Sequence, residues 1–191
     1  MTSPEQRVEL VKSESQRIQR YLEGLPNEDW TQTSACDAWE IRDVVAHLTA
    51  SVDLYESAIS RGITGDSNPP EGLSAAGVRS LMTRLEENTQ RVINLRQDIG
   101  DRLLSVFSGR CQDLTKLFEG LADKDWQKLC YHPGKVIPAA TCGLTSGRVG
   151  HSRVGHTLQV RHIERTIRPM PSGRDGLYPC VRGWDYVPPR Y

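Results

Sequence analysis

Apolar residues recur at helical spacing over the first part of the chain. In residues 4–24 they lie three, four or seven positions apart, at Val8, Val11, Ile18, Leu22 and Leu25. Pro4 suits a first helical turn, and Gly24 followed by Pro26 is typical of a helix end. The pattern predicts a first helix over residues 4–24.

The segment "WEIRDVVAHLTASVDLYESAISRG" has the most regular apolar face in the chain. Its members are Ile41, Val44, Val45, Leu48, Val52, Tyr55 and Ile59. Asp37 or Glu40 lies near its start, where negative charge opposes the positive end of the helix dipole. A second helix is predicted here, after a polar loop.

Glycine, proline, asparagine and aspartate are dense in residues 62–74, which predicts a long surface loop. Helical periodicity then returns over residues 75–121, with Gly100 and Gly109 as candidate kinks or breaks. The stretches "LEGLPNEDW" and "FEGLADKDW" echo each other. Each is predicted to end a helix in a turn anchored by its tryptophan, Trp30 or Trp126.

Three long helices make an incomplete bundle, so a fourth is expected soon after "CYHPGKVIPAAT". Instead the composition changes there. Residues 143–191 contain eight arginines, no lysine and three acidic residues, and they lack helical or strand periodicity. We therefore divide the chain into a helical domain over residues 1–142 and an atypical, disordered tail over residues 143–191.

Charge and composition exclude some partners. The formal net charge is +0, so nothing indicates nucleic acid or an anionic membrane surface as a partner. The N-terminus resembles no signal peptide and no apolar run is long enough to span a bilayer, so we expect a cytoplasmic protein. Five scattered cysteines without C-x-x-C spacing are typical of free thiols.

The stretch "SACDAWEIRDVVAHL", between "GLPNEDW" and "YESAISRG", resembles the metal-binding N-terminal domain of the mycothiol-dependent maleylpyruvate isomerase family. The resemblance continues through "GDSNPPEG" and "CYHPGKVIP" and covers about residues 5–141. It implies an all-α, DinB-like four-helix bundle. It also implies two cofactors, a divalent metal, usually zinc, and mycothiol.

The resemblance further implies the ligands. One histidine on the second helix and a Glu-x-x-x-His pair on the fourth hold the family's metal, because the i and i+4 positions share one helical face. His47 matches the second-helix ligand and lies at the edge of the apolar stripe. Without the motif, the simpler interpretation would be a core-edge histidine with a satisfied hydrogen bond.

The fourth-helix ligands do not match. His156 aligns with the family histidine, but Ser152 stands where glutamate is needed. His151 and His156 are five residues apart, a poor helical pair, and Gly150 and Gly155 disfavour a helix. His151, His156 and His162 form only a weak alternative metal set with His47, and His132 is interpreted as a loop residue.

The genetic code offers another explanation for residues 143–191. When the last two bases of each codon are joined to the first base of the next, codons 148–158 can spell E-L-x-I-H-x-W-D-I-R, which resembles the family's fourth helix. We infer a one-base frameshift near Cys142 and Gly143, in the gene or in its sequencing. The fourth helix would then be damaged or missing in the chain as written.

Two functions follow. The first is metal-assisted, thiol-cofactor chemistry of the isomerase or transferase type, in which a metal-activated thiolate adds to a double bond and allows rotation. Its partners would be a small-molecule thiol and a substrate; neither the catalytic residues nor the residues that bind mycothiol can be named. The second, which we favour for this polypeptide, is a non-catalytic bundle without metal that associates through an uncovered apolar face, for example as a homo-oligomer.

The frameshift makes a prediction about the gene. The nucleotides across codons 138–165 should be compatible with the overlapping glutamate, histidine, tryptophan and aspartate codons, and a one-base correction near codon 143 should restore the family's helix. Sequencing genomic DNA checks this. Codons that cannot encode those residues in the neighbouring frame would rule it out.

Overall fold

Four α-helices account for most of the part of the chain that is described in the computed structural model, residues 3–36, 39–142 and Ile167. They are α1 (Pro4–Glu23), α2 (Ile41–Ile63), α3 (Leu81–Ile99) and α4 (Leu103–Glu119). Two-residue strands, β1 (Leu129–Cys130) and β2 (Ile137–Pro138), form an antiparallel pair after α4. Short 3₁₀ helices occupy Asn27–Thr31, Gly100–Arg102, Asp123–Gln127 and Ala139–Thr141.

The first helix begins with a reciprocal side-chain cap, and the second with one half of such a cap. Ser3 Oγ accepts a hydrogen bond from the Gln6 backbone N–H at 3.3 Å, and the Ser3 N–H donates to Gln6 Oε1 at 3.0 Å. At the start of α2, the Glu40 N–H donates to Asp43 Oδ2 at 2.9 Å. Gly24 caps the end of α1, so both predicted helices are confirmed with small shifts in their bounds.

The third predicted helix is interrupted. Gly100 has φ 56° and ψ −132°, a left-handed conformation that favours glycine, and it separates α3 from α4. Gly109, the other candidate break, lies inside α4 without a disturbance. The prediction of helical structure over residues 75–121 is therefore wrong in its start, which is Leu81, and right that Gly100 is a break.

The repeated "EGL…DW" stretches adopt the same local structure. Gly24 and Gly120 each follow a long helix as its C-terminal cap, and each leads into a 3₁₀ helix that contains the tryptophan. Trp126 is buried and stacks on Phe118 with ring centroids 5.5 Å apart. Trp30 packs against the core between α1 and α2. The predicted tryptophan anchors are confirmed.

The helices alternate in direction around α2. Ile18 and Leu22, near the end of α1, lie in one cluster with Leu103 at the start of α4, so these two helices are antiparallel. Arg96, near the end of α3, pairs with Asp43, near the start of α2, at 2.6 Å, so α3 returns antiparallel along α2. Then α4 runs parallel to α2, as a bundle with a long crossover connection requires.

Two apolar clusters form the core of the described residues. The first joins the ends of α1 and α3 to the starts of α2 and α4, and includes Leu22, Ile41, Val45, Val92 and Phe107. The second joins the other end of α2 to the hairpin, and includes Ile59, Phe118, Trp126 and Cys130. Ile167, the one described residue beyond Cys142, is helical and fully buried in the first cluster.

The other residues of 143–191 lie outside the described part of the chain, and with them the predicted fourth helix, frameshift and irregular tail. Cys111, Cys130 and Cys142 are free and buried, as expected. Cys36 is disulfide-bonded, so the expectation of free thiols is wrong for that residue. Among the described helices, none has the length and apolar character needed to cross a bilayer.

Gly62 allows α2 to touch the hairpin. A Cβ atom at this position would lie 2.4 Å from Cys130 Sγ and 2.7 Å from the Leu129 carbonyl oxygen, well inside van der Waals contact. The Lys128 ammonium donates to the Ile63 carbonyl at the end of α2 and reinforces this junction. A residue with any side chain at position 62 would push the hairpin away from the helix.

Gly62→Ala should therefore destabilise the protein. We expect the free energy of unfolding to fall by about 1–3 kcal/mol, the usual cost of overpacking a well-filled site, when it is measured by urea denaturation. Gly109→Ala is the matched control, because a Cβ there meets nothing within 4 Å. That control should gain about 0.5–1 kcal/mol, since alanine is the better helix former. Equal stabilities of the two variants would contradict this account.

Candidate functional site

The loop that enters α2 is fixed by its own hydrogen bonds. Ser34 is fully buried, and its Oγ accepts from the Cys36 N–H at 3.1 Å. The Ser34 N–H donates to the Trp39 carbonyl at 2.9 Å, and the Ile41 N–H donates to the Gln32 carbonyl at 3.0 Å. These bonds place the Trp39 side chain over the first turns of α2.

His47 lies on α2 beneath this tryptophan. The two rings meet edge to face, with centroids 5.4 Å apart and planes at 68°. The histidine is partly buried and its neighbours Ala46 and Leu48 are buried in the core. The prediction that His47 stands at the edge of the apolar stripe is confirmed, while its role as a metal ligand stays a prediction.

Asn88 of α3 faces His47. Its Nδ2 atom lies 3.1 Å from His47 Nδ1, and its Oδ1 atom accepts from Arg91 Nη2 at 3.3 Å. Because the guanidinium can only donate, it sets the amide with the oxygen toward Arg91 and the NH₂ group toward the imidazole. His47 Nδ1 therefore accepts, and the neutral ring carries its proton on Nε2.

The surroundings keep His47 neutral. Burial, and then the positive charge of Arg91, lower the pKa of the imidazole from 6.5 to about 4. Burial also lowers the pKa of Arg91, a shift that the charge of Asp53 opposes. The two groups form one local electrostatic unit in which Arg91 carries the charge.

Ion pairs flank this unit along the α2–α3 face, and we call them the polar seam. At one end, Arg96 Nη1 lies 2.6 Å from Asp43 Oδ1 and 3.8 Å from Glu40 Oε2. At the other end, Asp53 Oδ1 accepts from Arg110 Nε of α4 at 2.9 Å. Burial raises the pKa of Asp53, while Arg110 opposes that shift. The acids of the seam thus have arginine partners other than Arg91.

Two neighbours of His47 in the described residues are ill suited to a divalent cation. One is an amide that donates to Nδ1, and the other is a guanidinium that repels positive charge. No group of three histidine, cysteine, aspartate or glutamate side chains gathers anywhere in residues 3–36 and 39–142. His151, His156 and His162, the other predicted metal residues, lie outside the described residues.

Two further outcomes concern residues of the site. The Nδ1 atom of His132 accepts from the Gly134 N–H at 3.3 Å, which agrees with its interpretation as a loop histidine. Asn88 and Arg91 were missed. They are three residues apart on α3, and that spacing resembles any solvated helix face until the packing partner of the helix is known.

Comparisons with known proteins place the fold. The model of the family described as "Mycothiol maleylpyruvate isomerase N-terminal domain" matches residues 11–145. A crystal structure of the mycothiol-dependent maleylpyruvate isomerase superposes with a TM-score of 0.57 and 13% sequence identity. The match covers 86% of this chain and 57% of that one, so the chain spans little more than half of its structural neighbour. Among curated protein sequences none matches.

These similarities confirm the predicted all-α, DinB-like fold class.

The depressed pKa of His47 predicts a pH dependence of stability. Between pH 6.5 and about 4 the unfolded chain protonates His47 while the folded chain does not. The free energy of unfolding should therefore fall as the pH drops through this window, by roughly 3 kcal/mol from this group. Urea denaturation in the presence of a chelator, from pH 4 to 7, measures it.

His47→Leu should lack this component, whereas His132→Gln should retain it. A direct check is the imidazole pKa by NMR in the wild-type chain. A value near 6.5 would show that neither burial nor Arg91 acts on the ring as described.

Proposed function

The chain belongs to the mycothiol maleylpyruvate isomerase N-terminal domain family, and we propose that, as written, it is a non-catalytic member whose second-helix histidine does not bind a metal. The observation that carries the proposal is the hydrogen bond between Asn88 and His47, with Arg91 behind it. Asn88 and Arg91 occupy the side of His47 where a metal ligand would need a hydrogen-bond acceptor for its second ring nitrogen.

The first step concerns the imidazole lone pairs. A histidine binds a metal through an unprotonated nitrogen, while its other nitrogen donates to a nearby acceptor. At His47 the unprotonated nitrogen, Nδ1, is already engaged by Asn88, and Nε2 carries the proton. Freeing Nε2 would move the proton to Nδ1 and require the Asn88 amide to turn. Its NH₂ group would then face Arg91, which also has only donors.

The second step concerns charge. The positive charge of Arg91 already disfavours a single extra proton on His47. A divalent cation carries twice that charge, so the same repulsion acts on it more strongly at an equal distance. A carboxylate ligand beside His47 would offset the repulsion, but Asp53 is engaged with Arg110 and Asp43 with Arg96.

A zinc titration tests the proposal. We expect the purified full-length chain to show no stoichiometric, His47-dependent zinc binding by isothermal titration calorimetry, and His47→Ala to behave like the wild type. Tight binding of one zinc ion per chain that disappears in His47→Ala would contradict the proposal and indicate a working metal site.

The Asn88→Asp variant tests whether zinc binding at His47 can be gained. An aspartate would accept a hydrogen bond from Nδ1–H, which leaves Nε2 unprotonated, and its negative charge would offset that of Arg91. We expect the zinc affinity of this variant to exceed that of the wild type by about tenfold or more, which is the usual effect of a hydrogen-bond partner of a metal ligand. Asn94→Asp, on an exposed part of the same helix, is the matched control.

The second candidate is the metal-assisted, mycothiol-dependent chemistry of isomerase or transferase type that the family resemblance implies. The placement of His47 under Trp39, at the motif position of the second helix, favours it. Its remaining ligands would come from residues 143–191. The test compares zinc binding by the wild type with binding by His47→Ala and by His156→Ala. Binding that is lost in both variants would favour this candidate over the first.

A further inference from the structure

Two free thiols, those of Cys130 and Cys142, lie together in the second apolar cluster. Both side chains are buried, and a side-chain hydrogen bond joins them. Cys111, the other free cysteine of the described residues, has Ser15 and Gln19 as its hydrogen-bond partners instead. Cys130 and Cys142 are therefore the one thiol pair among the described free cysteines.

The hairpin brings the two cysteines together. Cys130 in β1 lies opposite Ile137 in β2. The Ala139 N–H then donates to the Lys128 carbonyl at 2.8 Å, and the Cys142 N–H donates to the Ala139 carbonyl at 3.1 Å. These two bonds return the chain to β1, so that Cys142 reaches the Cys130 sulfur.

The hydrogen bond between the thiols makes them unequal. It lowers the pKa of Cys130, whereas the same bond, and then burial, raise the pKa of Cys142. Opposite shifts of this kind arise when the Cys142 S–H donates and the Cys130 sulfur accepts as a thiolate. The thiolate is the reactive form of cysteine. Cys130 is thus the nucleophile of the pair, and Cys142 stands ready to attack whatever forms on it.

A short hairpin controls access to the pair. Each of its strands has two residues, and Leu129, next to Cys130, is exposed. An isolated two-stranded hairpin has little stability of its own, so it opens locally at a lower cost than the helices do. Such an opening admits a small oxidant to Cys130 while the bundle stays folded.

We propose that Cys130 and Cys142 form a dithiol that hydrogen peroxide or a similar hydroperoxide closes to a disulfide. The Cys130 thiolate attacks one peroxide oxygen, the O–O bond breaks, and the hydroxide that leaves takes up a proton, which gives a sulfenic acid on Cys130. The Cys142 sulfur then attacks the Cys130 sulfur, and the hydroxyl group leaves with the Cys142 proton as water. Two thiols are oxidised and one peroxide is reduced to two waters. The disulfide closes the hairpin, and it goes beyond the proposed function because neither His47 nor a metal takes part.

Peptide mapping of the full-length chain tests this directly. Trypsin cleaves at Lys135 and on both outer sides of the pair, so Cys130 and Cys142 fall in separate peptides, 129–135 and 136–148. The chain is reduced, desalted, treated with hydrogen peroxide in the presence of a chelator, and alkylated before digestion. We expect the two peptides to be joined, with a mass two hydrogens below their sum. The melting temperature should rise by about 5 °C or more, because the cross-link restricts the unfolded chain.

Single variants separate the roles of the two sulfurs. In Cys142→Ala, Cys130 should stop at the sulfenic acid and be trapped by dimedone. In Cys130→Ala, burial still raises the pKa of Cys142, so we expect at least about tenfold less dimedone adduct. Cys111→Ala is the matched control and should form the disulfide as the wild type does.

The proposal is overturned if peroxide leaves peptides 129–135 and 136–148 separate, if it leaves the melting temperature unchanged, or if Cys142 traps dimedone as well as Cys130 does. Should an alanine variant fold poorly, the mapping and the melting temperature of the wild type decide the question alone. Zinc plays no part in this assay, so its outcome is separate from that of the metal titration.

Discussion

The burial of α2 on two sides is the constraint on which the described fold depends. One side carries the apolar stripe that packs against α1 and α4, and its end meets the hairpin. Small residues, Ala46, Ala50, Ala58 and Gly62, let the neighbouring elements approach closely. At Gly62 the approach leaves no room for a methyl group. A helix enclosed in this way cannot slide or rotate, so every side chain on it has a fixed neighbour.

The other side of α2 faces α3 through polar groups. This interface adds ion pairs and an amide–imidazole hydrogen bond to the apolar contacts of Val92 and Leu95 with the core. Polar contacts at a partly buried interface add little net stability, but they fix one pairing of the helices, because any other register leaves charges without partners. The chemical state of His47 is a consequence of that register. Its tautomer comes from Asn88 of α3, and its low pKa comes from burial and then from Arg91 of α3.

Much of the fold is predictable because its signals are local. The periodicity of the first two helices, Gly24 and the repeated tryptophan turns depend on residues a few positions apart, and these predictions are confirmed. The break at Gly100 was one of two equal candidates, since both glycines interrupt the same pattern. Only the left-handed φ of Gly100 distinguishes it from Gly109, which fits an ordinary helix. The two-residue strands carry too few positions to show any alternation.

The site is less predictable, because its chemistry comes from residues distant in sequence. The motif around His47 identifies the position, but 41 residues separate it from Asn88. Nothing in the α3 sequence marks Asn88 and Arg91 until α3 is seen to return along α2.

The pairing also changes how the motif histidine is interpreted. A divalent metal would supply positive charge next to an anionic ligand, and here a guanidinium supplies it without the metal. The positive charge of Arg91 lowers the pKa of His47, and the same repulsion would act on a metal cation bound to that ring.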